Sequence, residues 1–232
     1  MTAPFLRSCA LLLFLAAPLA HARAPAPAPR IPEQVSNPAW EGDIARFQAL
    51  DAQQPPPRGA VLFVGSSSIR FWDSLATDFP GQKVINRGFG GSEVRDSTWY
   101  ADRIVIPYAP RLIVFYAGDN DLNAGRMPQQ VRDDFVAFVT RVRRDLPDTR
   151  IAYISIKPSP SRAQLLPQIA EANGLIREAG KRFSNVDFLD VYTPMLGPDG
   201  QPRPELFRED MLHMTPAGYA IWRQVVAPEL AK

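Results

Sequence analysis

Five short apolar runs recur along this chain, with longer amphipathic stretches between and after them. The runs are Ala60 to Val64, Lys83 to Asn86, Leu112 to Tyr116, Ile151 to Ile156 and Val186 to Val191, all of strand length and mostly rich in Val, Ile and aromatic residues. Strands buried on both faces and separated by helices imply a parallel sheet with helices on each side. The clearest helix is "MPQQVRDDFVAFVTRVRRDLP", where Val131, Phe135, Phe138, Val139 and Val142 form one apolar stripe against a charged face. The expected fold class is therefore α/β, a doubly wound five-stranded parallel sheet. Such sheets make their sites at the carboxyl ends of the strands.

A length of 232 residues, 46% of them hydrophobic, suits one well-filled core and extensions. The opening stretch, residues 1–22, has Arg7 ahead of an apolar run from Cys9 to Leu19 and then Ala20-His21-Ala22, the pattern of a secretory leader. That run is shorter than the roughly 20 residues a bilayer span needs. Cleavage after Ala22 is expected, leaving an exported chain, periplasmic or secreted, with no transmembrane segment. Residues 23–38 alternate Pro with Ala and read as a stiff linker. The folded domain is expected over residues 39–232, opening on a helix with Trp40, Ile44, Phe47 and Leu50 at helical spacing, stopped by Pro55-Pro56-Pro57.

Cys9 is the sole cysteine and departs with the leader, so the exported chain has neither a disulfide nor a thiol nucleophile. His21 departs too, and any imidazole chemistry must run through His213. With 26 Lys and Arg against 24 Asp and Glu and no basic run, nucleic acid is not an expected partner.

The first strand ends in Gly65 and then Ser66, Ser67 and Ser68. Serine is a weak nucleophile until a base takes its proton, and the base needs a group that holds its tautomer. "REDMLHMTPAGY" supplies both, with Asp210 three residues before His213 and Thr215-Pro216 reading as the cap and first position of a last helix. Donors for an oxyanion are available in two loops. "NRGFGGSE" offers Gly88, Gly90 and Gly91, whose bare backbones admit a close approach, and "YAGDNDL" offers the side-chain amide of Asn120. On these grounds alone any of the three serines could be the nucleophile.

Four blocks in this order resemble the SGNH hydrolases, the GDSL-type esterases and lipases: Gly65-Ser66-Ser67, the Gly88-to-Gly91 loop, Gly118-Asp119-Asn120-Asp121, and Asp210-Met211-Leu212-His213. The resemblance spans about residues 58 to 226. It implies a flavodoxin-like three-layer α/β/α sandwich, Ser67 as nucleophile, His213 as base and Asp210 as its partner. It further implies Ser67, Gly91 and Asn120 as the oxyanion hole. The family usually has Asp where Ser66 stands here, while Trp72 falls five residues after Ser67, where many members carry a tryptophan. The activity implied is ester hydrolysis through an acyl-enzyme, with no cofactor and no metal. The expected substrate is a small-molecule, glycan or lipid ester: short acyl groups on a sugar, glycerol or lysophospholipid. Acyl transfer to a sugar, or glycan binding by an idle site, are the alternatives.

Other readings of the same motifs are weaker. The serines could cap the helix that follows. The glycine loop lacks the Lys-Ser/Thr of a phosphate-binding P-loop. Asp119, Asp121 and Asn123 match the start of a calcium loop, but Ala124 and Gln130 stand where Gly and Glu belong. Arg70, Arg87, Arg95 and Arg162 are candidates to line the cleft, although solvated arginines are commoner. Phe63, Phe115 and Tyr116 are expected in the core.

Overall fold

Val, Ile, Leu and Phe crowd the predicted strands because both of their faces pack against helices. In the computed structural model, which describes Met1 and residues 40–232, the strands are β1 (Val61–Gly65), β2 (Val84–Gly88), β3 (Leu112–Tyr116), β4 (Arg150–Ile154) and β5 (Val186–Leu189). They pair in parallel in the order β2-β1-β3-β4-β5. The expected leader and linker, including Cys9 and His21, lie outside the described residues apart from Met1.

The helical segments are α1 (Glu41–Gln53), α2 (Ser67–Arg70), α3 (Leu75–Asp78), α4 (Val94–Trp99), α5 (Ala101–Ile104), α6 (Asp119–Asn123), α7 (Pro128–Asp145), α8 (Leu166–Gly180) and α9 (Pro216–Ala231). Alternation along the strands divides the core in two. Leu62, Val64, Ile113, Phe115 and Tyr153 face α1, α4, α5, α7 and α8, with Phe115 stacked on Phe138 at 4.1 Å between ring centroids. Val61, Phe63, Val114 and Ile154 face α2, α3 and α9, where Trp72, Phe79, Tyr219 and Trp222 gather. This is the three-layer sandwich expected. All five residues of the α7 stripe are buried, and α1 is held by Ile44 and Phe47, while Leu50 stays exposed.

Register sets the position of the site. Val61 pairs with both Val84 and Leu112, so Gly65, Gly88 and Tyr116 end their strands side by side. The three loops that follow therefore leave the sheet together, and the chain winds in opposite directions on the two sides of the β1/β3 boundary. A crevice at such a boundary is where a sheet of this kind binds ligands. Gly65 permits the tight exit from β1. Its φ is +133°, and a Cβ there would stand 1.8 Å from the Tyr116 carbonyl oxygen.

Candidate active site

The serine triplet emerges from β1 straight into the single turn α2, and its three hydroxyls meet different surroundings. Ser66 and Ser68 are buried, and neither hydroxyl has a hydrogen-bond partner among the described residues. Ser67 is half-buried, with Oγ 3.0 Å from His213 Nε2. No serine side chain caps α2, so the capping role considered for the triplet is not what holds it. Instead α2 is fixed from below by Trp72, which packs on Phe63 and Trp222 and donates to Asp78 at 2.6 Å, and from α9 by the Tyr219 hydroxyl, which donates to the Ser68 carbonyl at 3.0 Å.

His213 lies on the loop before α9, as its spacing to Thr215-Pro216 predicts. Pro216 is the first helical residue, but the Thr215 hydroxyl donates to the Glu205 carbonyl at 3.3 Å rather than capping the helix. The other ring nitrogen, Nδ1, is 2.6 Å from Asp210 Oδ2. Oδ1 of the same carboxylate accepts the backbone N–H groups of Leu212 and His213, each at 2.9 Å. Burial works to raise the Asp210 pKa, but the bonds from the His213 ring and from these two N–H groups outweigh it and hold the carboxyl at about 2. Asp210 is thus an anion at neutral pH. It fixes Nδ1 as the protonated nitrogen and leaves Nε2 to accept from Ser67. The Phe71 ring packs against the imidazole of His213 in a T-shaped arrangement, with ring centroids 4.9 Å apart.

The loop after β2 brings Gly91 up with φ +81°, an angle that favours glycine, although a Cβ there would meet nothing. Asn120, in α6 after β3, donates through Nδ2 to the Ser92 carbonyl at 3.0 Å, tying the second and third loops together. Among the described residues, the backbone N–H groups of Ser67 and Gly91 are bonded to no other protein group. One hydrogen of the Asn120 amide is likewise unspent. The geometry thus brings Ser67, His213 and Asp210 into one chain of hydrogen bonds, with three candidate donors on adjoining loops.

The acidic block is otherwise employed. Asp119 Oδ2 lies 3.0 Å from both Lys157 Nζ and an Arg162 guanidinium nitrogen, all three side chains buried. Burial opposes its charge, but Lys157 and Arg162 hold the carboxyl below the usual aspartate range. Asp121 is buried and accepts the Val94 N–H at 3.1 Å, which anchors α4. Among the described residues no group of three or more His, Cys, Asp and Glu is arranged for a metal ion.

The four arginines weighed for the cleft separate. Arg87 is buried against Asp51 and Tyr108, and Arg95 pairs with Glu93 at 2.7 Å. Arg70 is exposed beside the Gly90 loop. Arg162 is buried and donates to Asn120 Oδ1 at 2.9 Å. Sequence reasoning passed over Lys157 and underrated Arg162. The one available signal was a lysine ending an otherwise apolar strand run.

Residues 64–221 match the family model described as the GDSL-like lipase/acylhydrolase family. Comparison with curated proteins gives no match. Among solved structures, the chain is similar to a GDSL-like lipase from Bacteroides thetaiotaomicron, with 20% identity, 81% of this chain and 97% of that chain covered, and a TM-score of 0.69. It is also similar to the lipase/acylhydrolase from Enterococcus faecalis, at 19% identity, 74% and 95% coverage and a TM-score of 0.58. A catalytic mutant of an acetylxylan esterase from Geobacillus stearothermophilus aligns at 14% identity, 76% and 96% coverage and a TM-score of 0.61. At these identities the structural likeness concerns the fold, and the family model carries the assignment. The chain belongs to the GDSL-like lipase/acylhydrolase family, whose chemistry is ester hydrolysis.

Proposed function

We propose that this protein is an exported serine esterase that cleaves short acyl groups from a sugar, glycerol or lysophospholipid through an acyl-enzyme. The observation that carries the reading is the hydrogen-bonded series from Ser67 Oγ to His213 Nε2, 3.0 Å, and from Nδ1 to Asp210, 2.6 Å. In this reading Ser67 Oγ attacks the ester carbonyl carbon while Nε2 takes its proton. The imidazolium so formed is stabilised by the Asp210 anion. The carbonyl oxygen becomes an oxyanion received by the Ser67 and Gly91 N–H groups and the free Asn120 N–H, and each such donor contributes about 3–4 kcal/mol to lowering the barrier. The tetrahedral intermediate collapses with breakage of the ester C–O bond, and His213 returns the proton to the leaving alcohol. Water, deprotonated by the same imidazole, then releases the acid and restores Ser67.

Two considerations favour short acyl groups. Among the described residues the exposed large apolar side chains are Met1, Leu50, Trp99, Met127 and Met211, and of these only Met211 lies in a site loop, too little to sheathe a long chain. The loops facing the later strands, "KPSPSRAQLLP" and "TPMLGPDGQPRPELF", are Pro-rich and show no long exposed apolar stripe. The similar fold of an acetylxylan esterase makes acetylated sugars the first substrates to try. Export rests on the leader pattern of residues 1–22.

The test is labelling of the purified protein with a fluorophosphonate, peptide mapping by mass spectrometry, and repetition with Ser67→Ala and His213→Ala. Label on Ser67 that both substitutions abolish is the expected result. Label on Ser66 or Ser68, or no label on folded protein, would overturn it. Rates on a nitrophenyl ester series that climb steeply with acyl length would overturn the substrate preference.

A further inference from the structure

Resting on the esterase reading, we propose that Arg162 is a positioning residue of the oxyanion hole, fixing which way the Asn120 amide faces and lending it positive charge. A side-chain amide can turn over by 180°, exchanging its donor and acceptor ends, and only its partners decide between the two. Here both partners are single-purpose. A guanidinium only donates, so Arg162 Nη2 at 2.9 Å demands the amide oxygen. A backbone carbonyl only accepts, so Ser92 O at 3.0 Å demands the amide nitrogen. Together they leave one N–H of Asn120 unspent.

Arg162 is itself held by several partners. Its other terminal nitrogen lies 3.0 Å from Asp119 Oδ2, the oxygen that Lys157 also engages at 3.0 Å, and both cations are buried. The neighbouring Ser161 N–H donates to the Met211 carbonyl at 3.0 Å, so the segment carrying Arg162 is also fastened to the loop between Asp210 and His213. Met211 holds the left-handed angle φ +53° that this loop requires. Asp119 lies between the two cations and the Asp210 anion also acts on Lys157, so the charge that reaches Asn120 is that of the guanidinium bonded to its amide oxygen, in a site of low dielectric where an oxyanion forms. Arg162 touches no reacting atom in this arrangement; it acts through Asn120.

The experiment compares wild type with Arg162→Gln, Arg162→Lys and Arg162→Ala, measuring kcat and KM on nitrophenyl acetate and melting each variant. The expected result for Gln and Ala is a fall in kcat of about 30- to 300-fold, somewhat below the loss of a whole oxyanion donor, with KM within about threefold. Lysine, a single point charge, restores part of the rate. Millimolar methylguanidinium restores kcat of Arg162→Ala saturably without changing wild type. If alanine prevents folding, the Gln and Lys variants decide. Unchanged kcat in folded variants would overturn the proposal, as would a loss confined to KM, which would make Arg162 a substrate clamp. Wild type that takes no label on Ser67 and hydrolyses no ester would overturn this proposal and the esterase reading together, whereas active wild type with indifferent Arg162 variants sinks this proposal alone.

Discussion

Removing the side chain of Asn120 separates its proposed catalytic role from its structural one. Asn120→Ala breaks the 3.0 Å bond to Ser92 and the 2.9 Å bond from Arg162. Each such bond contributes about 1 kcal/mol net, and Arg162 keeps Asp119, so the expected stability loss is about 1–2 kcal/mol. For a domain of this size that corresponds to a melting point about 2–8 °C lower. On the proposed esterase mechanism the activity loss should be much larger, about 10²–10³ in kcat, or about 3–4 kcal/mol of barrier, because one of the three proposed donors to the developing oxyanion is gone. KM should hold nearly constant, since the hole fits the tetrahedral oxygen rather than the ground-state ester. Initial rates on nitrophenyl acetate and a thermal melt on the same preparation give both numbers. Asn120→Asp keeps the volume and still accepts from Arg162, yet cannot donate, so its kcat should fall at least as far. A folded Asn120→Ala protein with kcat within threefold of wild type would refute the argument, and so would an Asn120→Asp protein that retains most of its activity.

Other perturbations are equally direct. Ser66→Ala and Ser68→Ala remove buried hydroxyls that have no partner among the described residues, so activity should stay within a few-fold and stability should hold or rise by up to about 1 kcal/mol, as read by rates and urea unfolding, whereas Ser67→Ala is expected to be inactive. Gly65→Ala places a Cβ 1.8 Å from the Tyr116 carbonyl oxygen at a positive φ, and should cost at least about 3 kcal/mol by urea unfolding; a loss under 1 kcal/mol would contradict the packing described. Asp210, held at about 2 against an ordinary 3.8, contributes stability that is present above about pH 4 and lost as pH falls toward 2. Carboxyl carbon NMR should find its midpoint well below that of an aspartate without such hydrogen bonds, and His213→Ala should move that midpoint upward.

Much of this molecule is written in short-range pattern. The apolar runs point to strands through their length and their Val, Ile and aromatic content; β1 and β3 are buried throughout while β2, β4 and β5 keep part-exposed residues, and the α7 stripe specifies a helix through its spacing. The boundaries moved by a residue or two: β2 continues through Arg87 to Gly88, and β4 starts at Arg150. Leu50 fits the helical spacing of α1 yet remains exposed, because spacing says which residues share a face and not how far the neighbouring layer extends. Asp210 and His213 were legible as a pair because three residues of separation bring them together whatever the rest of the chain does.

What the sequence by itself determined is the layered α/β architecture and the chemical types offered at the strand ends: serine, glycine, amide, imidazole and carboxylate. The tertiary structure alone decided which of them meet. Three adjacent serines are alike in sequence, and the turn at α2 directs only Ser67 to His213, 146 positions away. Arg162 resembles any surface arginine until α6 and the segment after β4 converge and enclose it with Asp119, Lys157 and Asn120. Local pattern arises from interactions between near neighbours along the chain, whereas a buried polar cluster arises from strand register and sheet order, which bring distant loops to one edge of the sheet.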